Sequence, residues 1–99
     1  MSKVLFTINY EIEPEKKEDY LRTIRELKSL LKADGLESYT VYEIKGKSNQ
    51  YVEQYTFASN EAFENFDDNT DERINILINK INDLAVNHST KYTTLNELQ

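Results

Sequence analysis

The pattern that decides the fold lies in residues 4–31, which read VLFTINYEIEPEKKEDYLRTIRELKSLL. In the first part of this stretch, apolar side chains alternate with mostly polar ones at a period of two, which is typical of a strand with one apolar face. The alternating apolar residues are Val4, Phe6, Ile8, Tyr10 and Ile12. The period predicts a strand over residues 3–12. Pro14 ends this strand and fits the first turn of a helix.

The second part of the stretch changes to a helical period. Its apolar residues share one stripe of a helix, while most charged residues lie elsewhere, so an amphipathic helix is predicted over residues 15–32. The stripe consists of Tyr20, Ile24, Leu27 and Leu31. Acidic side chains at the start of the helix and lysines at its end suit the helix dipole. Gly35 is predicted to be the left-handed cap that closes it.

Two further strands follow this helix. Residues 36–45 and 50–58 are rich in β-branched and aromatic side chains, which favour strands. The turn residues 46–49 between them include Gly46, so the two strands are predicted to form an antiparallel hairpin.

The remaining residues predict two helical pieces and a last strand. Ser59 is a good N-cap for a short helix that carries Ala62 and Phe63, and Thr70 is a predicted cap for the second piece. Residues 90–98 read as a strand. The order βαββαβ indicates a single α+β domain over residues 1–99, with the ferredoxin-like fold: a four-stranded antiparallel sheet with helices on one face.

Composition excludes several classes of function. The chain has 99 residues with no cysteine, which rules out disulfides, zinc fingers and thiol nucleophiles. A net charge of −6 argues against nucleic-acid or anionic-membrane binding, because both need basic surface. No secretory signal and no apolar run of membrane-spanning length is found. We expect a soluble cytoplasmic protein.

The sheet face without helices points to a partner. Aromatic residues fall in both alternating sets of strands two to four, so we expect each face of the sheet to carry several aromatic side chains. An exposed apolar patch usually marks an interface or a ligand groove. We therefore expect a homodimer that packs sheet against sheet, with a barrel-like interior in which a small molecule could bind.

The chain resembles the antibiotic-biosynthesis monooxygenases of the dimeric α/β-barrel superfamily. The local resemblance lies in residues 55–63, YTFASNEAF, where Ser59, Ala62 and Phe63 match the family pattern at the start of the helix. Two positions depart from it: Tyr55 stands where the family often has Glu, and Phe57 where it often has Trp.

The departures from the family pattern narrow the range of activities that we expect. Haem-degrading members of the superfamily carry a Trp at the end of the third strand and a haem-binding His on the later helix. Here Phe57 replaces the Trp and no His occurs in residues 60–86, so haem is not expected. The only histidine, His88, is expected to be a surface residue at a helix end. We expect no metal and no cofactor.

The activity that the resemblance still implies is cofactor-free oxidation of a small aromatic or quinol-like substrate in a pocket between sheet and helices. Such chemistry needs a desolvated pocket and hydrogen-bond donors for a substrate anion. Asn9 and Tyr55 are the candidate catalytic residues. The candidate ligand-binding residues are Asn9, Tyr39, Glu53, Tyr55, Phe57 and Tyr92. The alternative is a non-catalytic dimeric protein on the same fold that binds a small molecule or is associated with stress. Convergence of Asn9, Tyr55 and another polar group on one enclosed cavity would favour the enzyme, and a cavity filled by their own side chains would favour the alternative.

Overall fold

The computed structural model describes residues 2–68 and 71–98, which form a four-stranded antiparallel sheet and three α-helices. The strands are β1 (Val4–Glu11), β2 (Leu36–Glu43), β3 (Gln50–Phe57) and β4 (Lys91–Asn96). The helices are α1 (Lys17–Leu30), α2 (Asn60–Asp68) and α3 (Glu72–Leu84), and a 3-10 turn at Pro14–Lys16 precedes α1. The predicted ferredoxin-like α+β fold is confirmed.

The strand order in the sheet is β2-β3-β1-β4, so β1 and β3 are central. In β1, Ile8 lies opposite Glu53 of β3 on one side and Tyr92 of β4 on the other. In β3, Glu53 also lies opposite Val41 of β2. Because side chains alternate between the faces of a strand, these opposed residues share the face that the helices cover.

The core lies between this covered face and the helices. In β3 every second residue is buried, namely Tyr51, Glu53, Tyr55 and Phe57. Helix α1 contributes its predicted stripe, of which Tyr20 and Leu27 are fully buried, and α3 contributes a second stripe that includes Leu77 and Ile81. The core is therefore unusually rich in tyrosine and contains one buried carboxyl group.

The opposite face of the sheet, here called the open face, is less aromatic than the sequence suggested. It presents mainly threonines and aliphatic side chains, and Tyr42 is its one aromatic residue among the described strands, 51% exposed. Its half-buried members on the central strands include Leu5, Thr7, Val52, Gln54 and Thr56, and Asn9 on β1 is exposed. The expectation that both faces would carry several aromatic residues is wrong, because the register turns almost all of them toward the helices.

Several predicted caps differ from the structure. Helix α1 ends at Leu30 with Leu31 as its extended C-cap, so Gly35 does not cap it; Gly35 has a positive φ of 82° in the turn before β2. Ser59 is confirmed as a cap, since its hydroxyl accepts from the Ala62 N–H at 3.1 Å. The cap of α3 is Asp71, and the predicted cap Thr70 lies outside the described residues.

The end of α3 also differs from the expectation. The helix ends at Leu84, and His88 follows in a turn with φ 64° rather than at the helix end. Within residues 2–68 and 71–98 no helix has both the length and the apolar character needed to cross a membrane.

Candidate functional site

A cavity of about 400 Å³ lies between the sheet and the helices α2 and α3. It is lined by Phe6, Ile8, Tyr55, Phe63, Phe66, Asn75, Ile78 and Tyr92. Five of these eight residues are aromatic, and the lining residues with polar side-chain groups are Tyr55, Tyr92 and Asn75. An apolar cavity with a few convergent polar groups is the usual form of a small-molecule site.

The local structure explains why these residues meet. In β1, Phe6 and Ile8 are two apart and so share the covered face, and Tyr92 of β4 lies opposite Ile8. Phe63 and Phe66 are three apart in α2, which places them on one helix face. The same spacing places Asn75 and Ile78 of α3 together.

The aromatic walls contact one another. The ring of Phe6 stacks on that of Tyr92 with centroids 6.0 Å apart and an interplanar angle of 12°. Phe6 also contacts Tyr55 at 5.8 Å and Phe63 at 5.6 Å, and Tyr55 contacts Phe66 at 5.8 Å. Aromatic pairs at such distances add stability beyond the burial of their area, so the walls are well fixed before any ligand binds.

A buried carboxyl group lies behind the cavity. Glu53 is 2% exposed and is flanked in the sheet by the aliphatic residues Ile8 and Val41. The Tyr39 hydroxyl donates a hydrogen bond of 2.6 Å to Glu53 Oε1. That length is characteristic of a hydroxyl that donates to an ionised carboxylate.

The environment of Glu53 alters its ionisation. Burial raises the pKa of its carboxyl group, while hydrogen bonding from Tyr39, Tyr10 and Tyr55 opposes the rise. Among the described residues, only Tyr39 has full hydrogen-bond geometry to the carboxylate; the hydroxyls of Tyr10 and Tyr55 lie near enough to favour its charged form. Burial prevails because charge is poorly solvated in the core.

The surrounding tyrosines remain protonated. Burial, reinforced by the nearby Glu53 carboxylate, raises the pKa of the Tyr10, Tyr39 and Tyr55 hydroxyls far above the ordinary value. Burial also raises the pKa of Tyr20, whose hydroxyl lies 2.7 Å from that of Tyr10. These groups are therefore hydrogen-bond donors or acceptors and not bases.

The structure divides the predicted site residues into three groups. Tyr55 and Tyr92 line the cavity. Tyr39 and Glu53 lie behind Tyr55, and the rings of Tyr39 and Tyr55 are 4.7 Å apart. Phe57 is fully buried and supports the cavity wall through Phe63, at 5.4 Å, without lining the cavity.

Asn9 does not meet the other residues. It lies opposite Val52 of β3 and Lys91 of β4, on the open face, and is exposed there. Phe6 and Ile8 of the same strand line the cavity. Asn9 belongs to the other alternating set of positions in β1, so its side chain lies on the opposite face. Asn9 borders a separate recess of about 210 Å³. Convergence of Asn9 and Tyr55 on one cavity, the feature that would have favoured the enzyme, therefore does not occur within the chain.

The sequence did not single out several lining residues. The amide of Asn75 and the side chains of Phe66 and Ile78 come from α2 and α3, far from β1 in sequence. A signal was present: Asn75 falls next to the apolar stripe of α3, between Ile74 and Leu77, where it lies at the edge of the packed face.

The surface also carries other recesses of comparable size. A recess of about 480 Å³ between the end of α1 and the helices α2 and α3 is lined largely by polar or charged side chains, including Lys32, Asp34 and Asp71. A groove of about 320 Å³ lies between α1 and β2. In the part of the chain that the structure describes, no cluster of three or more His, Cys, Asp or Glu side chains could hold a metal ion.

Solved structures share this fold across nearly the whole chain. A conserved protein from Methanosarcina mazei Go1 superposes with a TM-score of 0.84 at 12% identity, covering 99% of this chain and 95% of that one. Rv0793 from Mycobacterium tuberculosis gives 0.80 at 15% identity, covering 98% and 96%. SnoaB from Streptomyces nogalater, a cofactor-independent oxygenase, gives 0.78 at 13% identity, covering 98% and 94%.

At these identities the likeness is one of fold. A comparison with curated protein sequences finds no significant match. The sequence model described as antibiotic biosynthesis monooxygenase matches residues 3–71, which is more than half of the chain and includes the strands and the helix α2 that build most of the cavity. The chain therefore belongs to the antibiotic biosynthesis monooxygenase family.

Proposed function

We propose that this protein is a cofactor-independent oxygenase that oxidises a small aromatic or quinol-like molecule in the cavity between the sheet and α2 and α3. The observation that carries the proposal is the cavity itself: about 400 Å³, with aromatic walls and a few polar groups. Family membership and the fold shared with SnoaB, a cofactor-independent oxygenase, support the same chemistry.

The reaction balances without an external reductant. A quinol and one O2 give a hydroxyquinone and one water, with O2 as the oxidant and the quinol as the source of electrons. One oxygen atom enters the ring and the other leaves as water. The protein then has three tasks: to bind the ring, to stabilise its anion, and to exclude bulk water.

The lining residues suit these tasks. Phe6 and Phe63 provide ring surfaces against which a planar substrate packs. The protonated hydroxyls of Tyr55 and Tyr92 and the amide of Asn75 are donors for a phenolate oxygen. Tyr55 is 2% exposed and lies deep, whereas Tyr92 is 59% exposed and stands at the mouth, where a substrate enters.

Oxygen uptake tests the proposal directly. Purified protein, treated with a chelator, is mixed with hydroquinone or a methylated hydroquinone, and O2 consumption is followed with an electrode. We expect saturable uptake above the buffer rate. Binding of the quinol with no uptake would contradict the oxygenase and favour the non-catalytic binding protein.

Two tryptophan substitutions in α3 provide a matched pair for the same assay. Ile78→Trp fills the cavity, whereas Ile76→Trp adds the same ring at a position that is 50% exposed. We expect Ile78→Trp to abolish uptake and Ile76→Trp to retain it. Equal rates in the two variants would show that the reaction takes place elsewhere.

We also propose that two copies pack through the open face of the sheet. The half-buried Leu5 and Val52, with Tyr42 at 51% and Leu95 at 47% exposure, form an apolar surface that a second sheet could cover. Asn9 lies on the same face, so in such a dimer its role would be at the interface. Sedimentation at micromolar concentration tests this proposal, and a monomer there would contradict it.

A further inference from the structure

The oxidation proposed above begins with loss of a proton from the phenolic oxygen, because the anion gives up an electron to O2 far more readily than the neutral phenol. The described residues that line the cavity include no carboxylate, histidine or lysine. Their titratable groups are Tyr55 and Tyr92, and burial raises the pKa of Tyr55, so this hydroxyl does not act as the final base. Among the described residues, a carboxylate acceptor is therefore found only behind the cavity wall.

We propose that Glu53 is that proton acceptor, and that the Tyr55 hydroxyl connects it to the substrate. This inference rests on the proposed function. The phenolic proton moves to Tyr55 Oη while the Tyr55 proton moves to the Glu53 carboxylate. The products are a bound phenolate, an unchanged tyrosine and a neutral carboxylic acid, so charge and protons balance.

The position of Glu53 supports this role. It is two residues before Tyr55 on the same face of β3, and it is shielded from water at 2% exposure. Tyr39 holds the carboxylate through its 2.6 Å hydrogen bond, and the Tyr39 ring packs on Tyr55 at 4.7 Å. The carboxylate, the tyrosine that orients it and the tyrosine that lines the cavity therefore form one contiguous group.

Titratable groups of four elements face Glu53 among the described residues. They are the hydroxyls of Tyr10 of β1, Tyr39 of β2, Tyr55 of β3 and Tyr20 of α1, and none of them is a cation. An apolar residue at this position, or a carboxylate paired with an arginine, would be easier to explain by structure alone. A buried carboxylate without a cationic partner destabilises the fold. A carboxylate kept in such a place, with its pKa raised by burial, is a better proton acceptor than an exposed carboxylate.

Glu53 acts on the substrate only through Tyr55, so it is a positioning residue. Its role is tested by the pH dependence of oxygen uptake, which a substitution of Glu53 should change. Glu53→Gln preserves size and can still accept from Tyr39. At pH 7 we expect oxygen uptake to fall by about 10²-fold, the usual contribution of a general base. Above the pKa of the free quinol, where the substrate arrives already ionised, the variant should come within about threefold of the wild type. Glu43→Gln, at an exposed site in β2, is the control and should be unchanged.

A second variant should shift the pH profile of oxygen uptake while it keeps the Glu53 carboxylate. Tyr39→Phe deletes the hydrogen bond that favours the ionised form of Glu53. The acid limb of the uptake profile should therefore move to higher pH. A purely structural role would scale the rate at every pH and leave the limb in place.

A binding measurement separates this inference from the proposed function. 4-Nitrophenol absorbs visible light only as the phenolate, so its ionisation in the cavity can be followed without turnover. In the wild type the phenolate band should rise in two pH steps, because the probe and Glu53 share a proton; in Glu53→Gln it should rise in one. A two-step titration without oxygen uptake would refute the oxygenase alone. Failure of the wild type to bind the probe, a single step in the wild type, or identical titrations in the two proteins would overturn the role of Glu53.

Discussion

Gly35 lies in the turn before β2 and packs closely against Ala62 of α2, the helix that forms one wall of the cavity. Replacing Gly35 with alanine should strongly destabilise the fold. Gly35 has φ +82°, and a Cβ added there would lie 2.3 Å from the Cβ of Ala62 in α2. Gly46 has the same φ of +82°, yet an added Cβ would meet nothing within 4 Å. The pair separates the cost of the left-handed backbone from the cost of the contact.

The magnitudes follow from these two terms. Gly46→Ala meets only the backbone term, about 1–2 kcal/mol for a left-handed alanine. Gly35→Ala adds overpacking against the Ala62 Cβ, typically about 1–3 kcal/mol, so a total loss of about 2–5 kcal/mol is expected. For a chain of this size, each kcal/mol lowers the midpoint of thermal unfolding by roughly 4–8 °C.

Urea unfolding followed by circular dichroism at a fixed protein concentration measures both losses. Because α2 carries Phe63 and Phe66, a displaced Ala62 should also weaken binding of 4-nitrophenol in Gly35→Ala, and binding by Gly46→Ala should be unchanged. Equal destabilisation of the two variants would refute the reasoning, since it would mean that the approach to Ala62 carries no energy.

Four further outcomes follow from the packing and the charges. Burial raises the pKa of Glu53 above its value in the unfolded chain, so the folded state holds that proton more tightly and the wild type loses stability as pH rises through the interval between the two values. Urea unfolding between about pH 4 and about pH 8 should therefore show Glu53→Gln gaining stability relative to the wild type as pH rises; a constant difference would contradict this. Phe57→Ala, at a fully buried site, should lose about 3–5 kcal/mol in the same assay, and a loss below about 1 kcal/mol would refute the packing described here. Glu26→Ala removes an exposed ion pair with Arg73 and should change the unfolding free energy by less than about 1 kcal/mol. Val52→Lys places a charge in the open face and should convert a dimer to a monomer in sedimentation without unfolding the chain; an unchanged dimer would exclude that face as the interface.

Much of the fold could be predicted because hydrophobic periodicity reports local structure. The alternation in β1 and the stripe of α1 each lie within one continuous stretch, and both agree with the structure. Caps were less predictable, since Gly35 adopts the expected left-handed conformation but in a turn beyond the end of α1. Whether such a glycine closes a helix or starts a strand depends on packing against Ala62, which sequence does not display.

The site was predictable only in part. Tyr55 and Tyr92 were among the candidates, and both line the cavity, although one is on β3 and the other on β4. The residue type of Asn9 suits the same chemistry, but its position in the alternation of β1 turns it to the open face. Asn75 joins the cavity through the packing of α3 on the sheet, which no local pattern specifies.

The fate of oxygen tests the proposed reaction most directly. The protein, free of added metal and cofactor, is incubated with a quinol under ¹⁸O2, and the product and the water are analysed by mass spectrometry. A cofactor-independent monooxygenase should place one ¹⁸O atom in the hydroxyquinone and the other in water, and Ile78→Trp should prevent this labelling. Product without ¹⁸O, or stoichiometric hydrogen peroxide in place of labelled product, would contradict it.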